Sequence, residues 1–122
     1  MILQIFANNF HGDCSETFGI GNVDKKGLHL IGATEQCLLE AIEICRDGEY
    51  FCSIGQVIND TARKYGYKVV PCFVGHGIGH YFHGPPDIYH CCEYLSPSYS
   101  TQKTLVKASN YKTNVNNFLN AF

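Results

Sequence analysis

The sequence predicts one α+β domain in which an antiparallel sheet carries two packed helices. Three observations predict it. The first 18 residues read as a β-hairpin. Apolar residues between Thr34 and Gly66 then recur at helical spacing in two blocks, and a β-rich run with a glycine-rich segment follows. A chain of 122 residues has room for one domain. Its 45% hydrophobic and 16% charged residues are those of a chain that folds.

In the hairpin, ILQIF is rich in strand formers, and Asn8-Asn9 tolerate the positive φ angles of a tight turn. The second strand is expected to run through Phe18. Gly19, Gly21 and Asn22 break the pattern. From Thr34 to Asp47, the residues Cys37, Leu38, Ala41, Ile42 and Cys45 lie on one helical face, and Gly48 is a stop signal. A second helix is expected from Ser53, with Gln56 completing a capping box and Gly66 ending it. KVVPCFV (68–74) reads as an edge strand, because Pro71 cannot donate to a ladder. GHGIGHYFHGPPDIYH follows, with too many glycines for a helix.

Charge and cysteine narrow the function classes. A net charge of −2 gives no basic face for nucleic acid. No apolar stretch approaches the roughly 20 residues of a membrane-spanning helix. The N-terminal residues resemble neither a signal peptide nor an Arg-rich transit peptide. Seven cysteines, an odd number with no Cys-x-x-Cys pair, read as small hydrophobes of a reduced compartment rather than as disulfides or a zinc site. Residues 1–93 hold all 11 acids and six of the nine Lys/Arg, net −5, whereas 94–122 hold three lysines and no acid. That break divides the chain into residues 1–90 and a divergent tail, 91–122, for which no ordered structure is expected.

Two patches carry chemistry: HGDCSETF (11–18) and GHGIGHYFH (75–83). In a plain turn, Asp13 would accept backbone hydrogen bonds. In an extended strand, His76 and His80 would be about 13 Å apart, too far for one ion. His76 therefore needs partners from elsewhere, and a carboxylate such as Asp13 on a neighbouring strand could bridge two ions roughly 3.5–4 Å apart.

From Phe10 to about His90 the chain resembles type 1 methionine aminopeptidases of peptidase family M24, in HGDCSETFGIGNVD and FVGHGIGHYFHGPPDIYH above all. These segments look closest to the mitochondrial and bacterial-like branch. The resemblance implies the pita-bread fold, here incomplete, and removal of the initiator methionine from protein N-termini with two divalent metal ions (Co, Mn, Fe or Zn). It implies that Asp13 bridges the ions, that His76 binds one of them, that His83 contacts the substrate amide as the catalytic histidine, and that Phe82 walls the methionine pocket. His80 falls where the family varies, and His11 reads as a structural neighbour. The family's first metal-binding Asp matches Ile2, and its two glutamates have no match after Glu93, so three of five ligands are missing.

Two functions follow. One is a metalloaminopeptidase of which this chain is a truncated or splice-derived form with weak or absent metal. The other is an inactive pita-bread remnant that binds peptides or proteins. In both, peptide or nascent-protein N-termini are the expected partners, nucleic acid and membrane are not, and an exposed sheet edge favours self-association. The expected location is mitochondrial or cytoplasmic, not secreted.

Overall fold

A computed structural model describes residues 1–91. The elements run β1 (Ile2–Ala7), β2 (Phe10–Ser15), α1 (Lys25–Ile44), α2 (Phe51–Lys64), β3 (Val74–Gly77) and β4 (Gly84–Tyr89). The expected tail lies outside the described residues, apart from Cys91. Antiparallel pairing is as expected and falls into two hairpins, β1–β2 and β3–β4.

The first hairpin closes through Asn8 and Asn9, both left-handed at φ 52° and 64°, which suits a two-residue turn matched to strand twist. Its register pairs Ala7 with Phe10 and runs to Ile2 opposite Ser15. β2 ends at Ser15 rather than at Phe18, and the last backbone pair of the ladder joins Met1 and Glu16.

α1 begins at Lys25, nine residues before the expected start. Asp24 caps it by accepting the Gly27 N–H at 2.9 Å, which supplies one of the helix's orphan donors with a partner. Ala33, Cys37 and Ala41, at i, i+4 and i+8, form its buried stripe. α2 begins at Phe51, and Ser53 is not its cap. The N-cap is Tyr50, which makes no side-chain cap bond; the Glu49 carboxylate beside it accepts the Tyr50 N–H at 3.1 Å and the Ser53 hydroxyl at 2.7 Å.

The core gathers Cys37 and Ala41 of α1, Phe51, Ile54, Ile58 and Ala62 of α2, and Ile88 of β4. At Gly55 α2 rides directly on the end of β4, where a Cβ would stand 2.4 Å from the Tyr89 carbonyl oxygen. A polar clamp borders this core. The carboxylate of Glu40 accepts the Thr61 hydroxyl at 2.5 Å and the Gln36 amide at 3.3 Å, with the Lys64 ammonium 3.9 Å away. These partners, Thr61 first, hold the Glu40 carboxyl below its usual range.

The expected strand 68–74 is irregular up to Phe73, and Pro71 and Cys72 form a turn. Cys72 is consequently exposed rather than buried. β4, in contrast, is a strand despite two prolines, which a two-stranded sheet accommodates because both its strands are edges. All six cysteines among the described residues are free thiols.

Candidate active site

The site lies where the two hairpins meet. In β2, His11 and Asp13 alternate onto one face, with Phe6 and Gln4 as their cross-strand neighbours. Both are half-buried. The His11 ring packs against Phe6 at a centroid distance of 4.6 Å and reaches across to Phe82 at 5.5 Å.

β3 places His76, opposite Asp87 of β4. The next residue breaks the register, since Gly77 pairs with Gly84. A Cβ at Gly77 would stand 2.1 Å from the Pro85 carbonyl oxygen, so only glycine allows this approach. The chain then turns back on itself, and the Gly79 N–H bonds the Tyr81 carbonyl at 3.0 Å.

This turn joins the hairpins. The His11 N–H donates to the Gly79 carbonyl at 2.8 Å, His80 Nδ1 lies 2.8 Å from the Asn9 carbonyl oxygen, and the His80 ring packs on Phe10 at 4.2 Å. The turn also folds His83 back onto His76, their rings meeting edge to face at 4.3 Å, with Phe82 4.5 Å from His83 and 6.0 Å from His76. The extended geometry expected after His76 therefore stops at the Gly77 break. His83 reaches His76, while His80 faces the hairpin tip.

The structure thus gathers His76, Phe82 and His83 in one cluster. Asp13 sits on the neighbouring strand face and is linked to that cluster through His11, two residues away. His76 Nδ1 is 3.1 Å from the Gly77 carbonyl oxygen. A carbonyl only accepts, so Nδ1 is the donor in this contact, and in a neutral imidazole Nε2 is then the nitrogen free to ligate a metal. The donor set nevertheless falls short of a two-metal centre. Among the described residues no three His, Cys, Asp or Glu side chains are placed to hold an ion. Ile2, on the same face of the hairpin as Gln4 and Phe6, offers no donor. Sequence reasoning assigned His11 no part in the site, although its i, i+2 spacing from Asp13 was a signal of the shared face.

A cavity lies elsewhere among the described residues. It has a volume of about 570 Å³ between the open end of the first hairpin, α1 and residues 67–73, with Met1, Ala33, Cys37, Val69 and His90 in its wall. Burial pushes the His90 imidazole down to about 4.

Residues 3–112 match metallopeptidase family M24. The chain belongs to this family. Mitochondrial methionine aminopeptidase 1D of Homo sapiens is 49% identical over 88 residues, which are 72% of this chain and 26% of the relative. Chloroplastic methionine aminopeptidase 1B of Arabidopsis thaliana is 46% identical over 88 residues, 72% of this chain and 24% of that protein. The solved methionine aminopeptidase of Rickettsia prowazekii superposes with a TM-score of 0.72 at 33% identity, over 74% of this chain and 36% of that one. The chain thus spans about a quarter of the length of these curated relatives, and its fold is a part of the pita-bread fold. The M24 match extends beyond residue 90, where the quoted motifs end. No helix among the described residues is long and apolar enough to cross a membrane.

Proposed function

We propose that this chain forms the peptide-facing part of a methionine aminopeptidase, a hydrolase that removes methionine from the N-termini of peptides and nascent proteins. The observation that carries the reading is the His76–Phe82–His83 cluster, held against the hairpin face that bears Asp13. Phe82 gives an apolar wall of the size a methionine side chain packs on. His83 is exposed at the cluster's rim, and in this reading it hydrogen-bonds the amide of a peptide lying against that wall. Asp13 and His76 are the two metal donors this chain contributes. Divalent ions bound in a complete site would generate a hydroxide nucleophile near neutral pH, but two donors do not complete one, so the residues present bind and orient rather than cleave.

The donor count favours a second reading, a metal-free module that binds peptide N-termini and does not hydrolyse them. The motifs that carry either reading lie within residues 1–90, although the family match runs on to residue 112, and a mitochondrial location agrees with the mitochondrial methionine aminopeptidases 1D that the chain is similar to.

Binding of Met-Ala-Ser and Gly-Ala-Ser peptides, followed through the histidine ring signals in NMR, tests the peptide site. Met-Ala-Ser should shift His76 and His83, and Phe82→Ala should weaken it at least fivefold. Equal binding of the two peptides would remove the methionine reading. Titration with Co²⁺ or Mn²⁺ separates the two readings of metal chemistry: retention of metal through gel filtration together with methionine release establishes a working enzyme, whereas weak metal binding without release leaves the binding module.

A further inference from the structure

A site that takes peptide N-termini must tell a terminus from an internal residue. The two differ by one group, the α-ammonium, which is largely protonated at pH 7. Recognition of that charge calls for a carboxylate within hydrogen-bond reach.

The second hairpin places one beside the His76–Phe82–His83 cluster. β3 and β4 pair Gly75 with Ile88 and His76 with Asp87. Opposed residues share a sheet face, and successive residues alternate between faces. Gly75 and Ile88 are buried, and Ile88 belongs to the core shared with α1 and α2, so His76 and Asp87 lie on the face turned away from the helices. Cβ atoms of opposed residues stand about 4.5–5.5 Å apart. The His76 ring in turn meets His83 at 4.3 Å and Phe82 at 6.0 Å. One imidazole thus has an apolar wall and a carboxylate as its neighbours.

The register break fixes this arrangement. Gly77 pairs with Gly84, so Pro85 and Pro86 stand between Asp87 and the turn that carries Phe82 and His83. Proline locks φ, which limits how far Asp87 can shift relative to that turn. Asp13, the other acid near the cluster, is linked to it only through His11.

We infer that Asp87 reads the free α-ammonium of a bound peptide while Phe82 takes the first side chain, so that the ligand class is an unblocked peptide with an apolar first residue. This rests on the peptide-site reading above. His76 and Asp87 are joined by no third metal donor among the described residues, and an ammonium needs hydrogen-bond acceptors rather than a closed coordination shell.

Titration of the 122-residue polypeptide in EDTA at pH 7, with Met-Ala-Ser and with N-acetyl-Met-Ala-Ser, tests the inference. The free peptide should bind at least tenfold more tightly and should move the Asp87 side-chain carboxyl ¹³C signal, which the acetylated peptide leaves in place. Asp87→Asn should bring the two affinities within twofold, and Asp87→Glu should keep at least a threefold preference. Asp60→Asn on α2 changes the net charge equally and should keep the full preference. Equal binding of both peptides by the native protein, an unmoved Asp87 signal, or an Asp87→Asn variant that keeps its preference would each overturn the inference and leave the methionine wall standing. If neither peptide binds, the peptide site itself falls, and the inference with it.

Discussion

The helical pair and the first hairpin use similar apolar residues to opposite ends. α1, α2 and β4 consume theirs: Ile58 and Ala41 are fully buried and Ile88 is 1% exposed. β1 consumes none, with Ile2 at 73% and Phe6 at 60%. The first region therefore carries the stability of the described fold, and the second carries Asp13 on a strand pair whose β1 edge is unpaired among the described residues. A chain can hold one half of a site on a well-packed scaffold and the other on a hairpin tied to it by few bonds, here chiefly the His11–Gly79 and His80–Asn9 contacts.

The largest effect expected from this contrast is in the core. Ile58→Ala leaves a cavity at the centre of the α1–α2–β4 cluster and should cost about 2–5 kcal/mol. Ile5→Ala, on the exposed face of β1, should stay within about 0.5 kcal/mol. Chemical denaturation of the two variants measures both. Comparable losses would mean that the hairpin is buried in solution and would break the comparison.

How much of this was legible beforehand differs by region for the same reason. The buried stripe of α1 and the face of α2 follow from apolar periodicity, because a single core reads it out. The first turns of α1 do not, since Gly27 and Gly32 look like breakers, yet Asp24 caps the helix and the Gly27 site is tight, with Val23 Cγ1 3.3 Å from where a Cβ would lie. Nothing in GPPDIY reads as a strand, and β4 exists because Ile88 is pulled into the core. The site was legible only through resemblance. Sequence spacing separates His76 from His83, and the turn that reunites them depends on the break at Gly77, a contact between distant backbone atoms that no local pattern encodes.

An intermediate effect is expected from acid, again confined to the packed region. His90 is 2% exposed and held neutral down to about 4, while in the unfolded chain it titrates near 6.5. Its folded value is the lower one, so the unfolded chain binds the extra proton between these limits. Stability is then full above about pH 6.5 and falls by about 1.4 kcal/mol per pH unit on acidification towards pH 4. Thermal melts from pH 7 to 4 should show that slope, and His90→Gln should flatten it. A slope unchanged in the variant would assign the loss to other groups.

The smallest effect concerns the polar clamp between α1 and α2. Thr61→Val keeps the shape of a side chain that is 1% exposed but removes the hydroxyl bonded to Glu40. Glu40 retains Gln36 and Lys64, and it is solvated enough that water can replace part of what is lost, so at pH 7 the melting temperature should fall by less than for Ile58→Ala. The sign of the pH dependence identifies the bond. Because the Thr61 bond is the chief cause holding the Glu40 carboxyl below its usual range, its contribution is present above the ordinary Glu value and disappears as pH falls through the depressed one. The gap in melting temperature between native protein and variant should accordingly narrow towards pH 3. A gap that stays constant across this range would mean that Thr61 acts by packing alone, and the cohesion of α1 with α2 would then be apolar throughout.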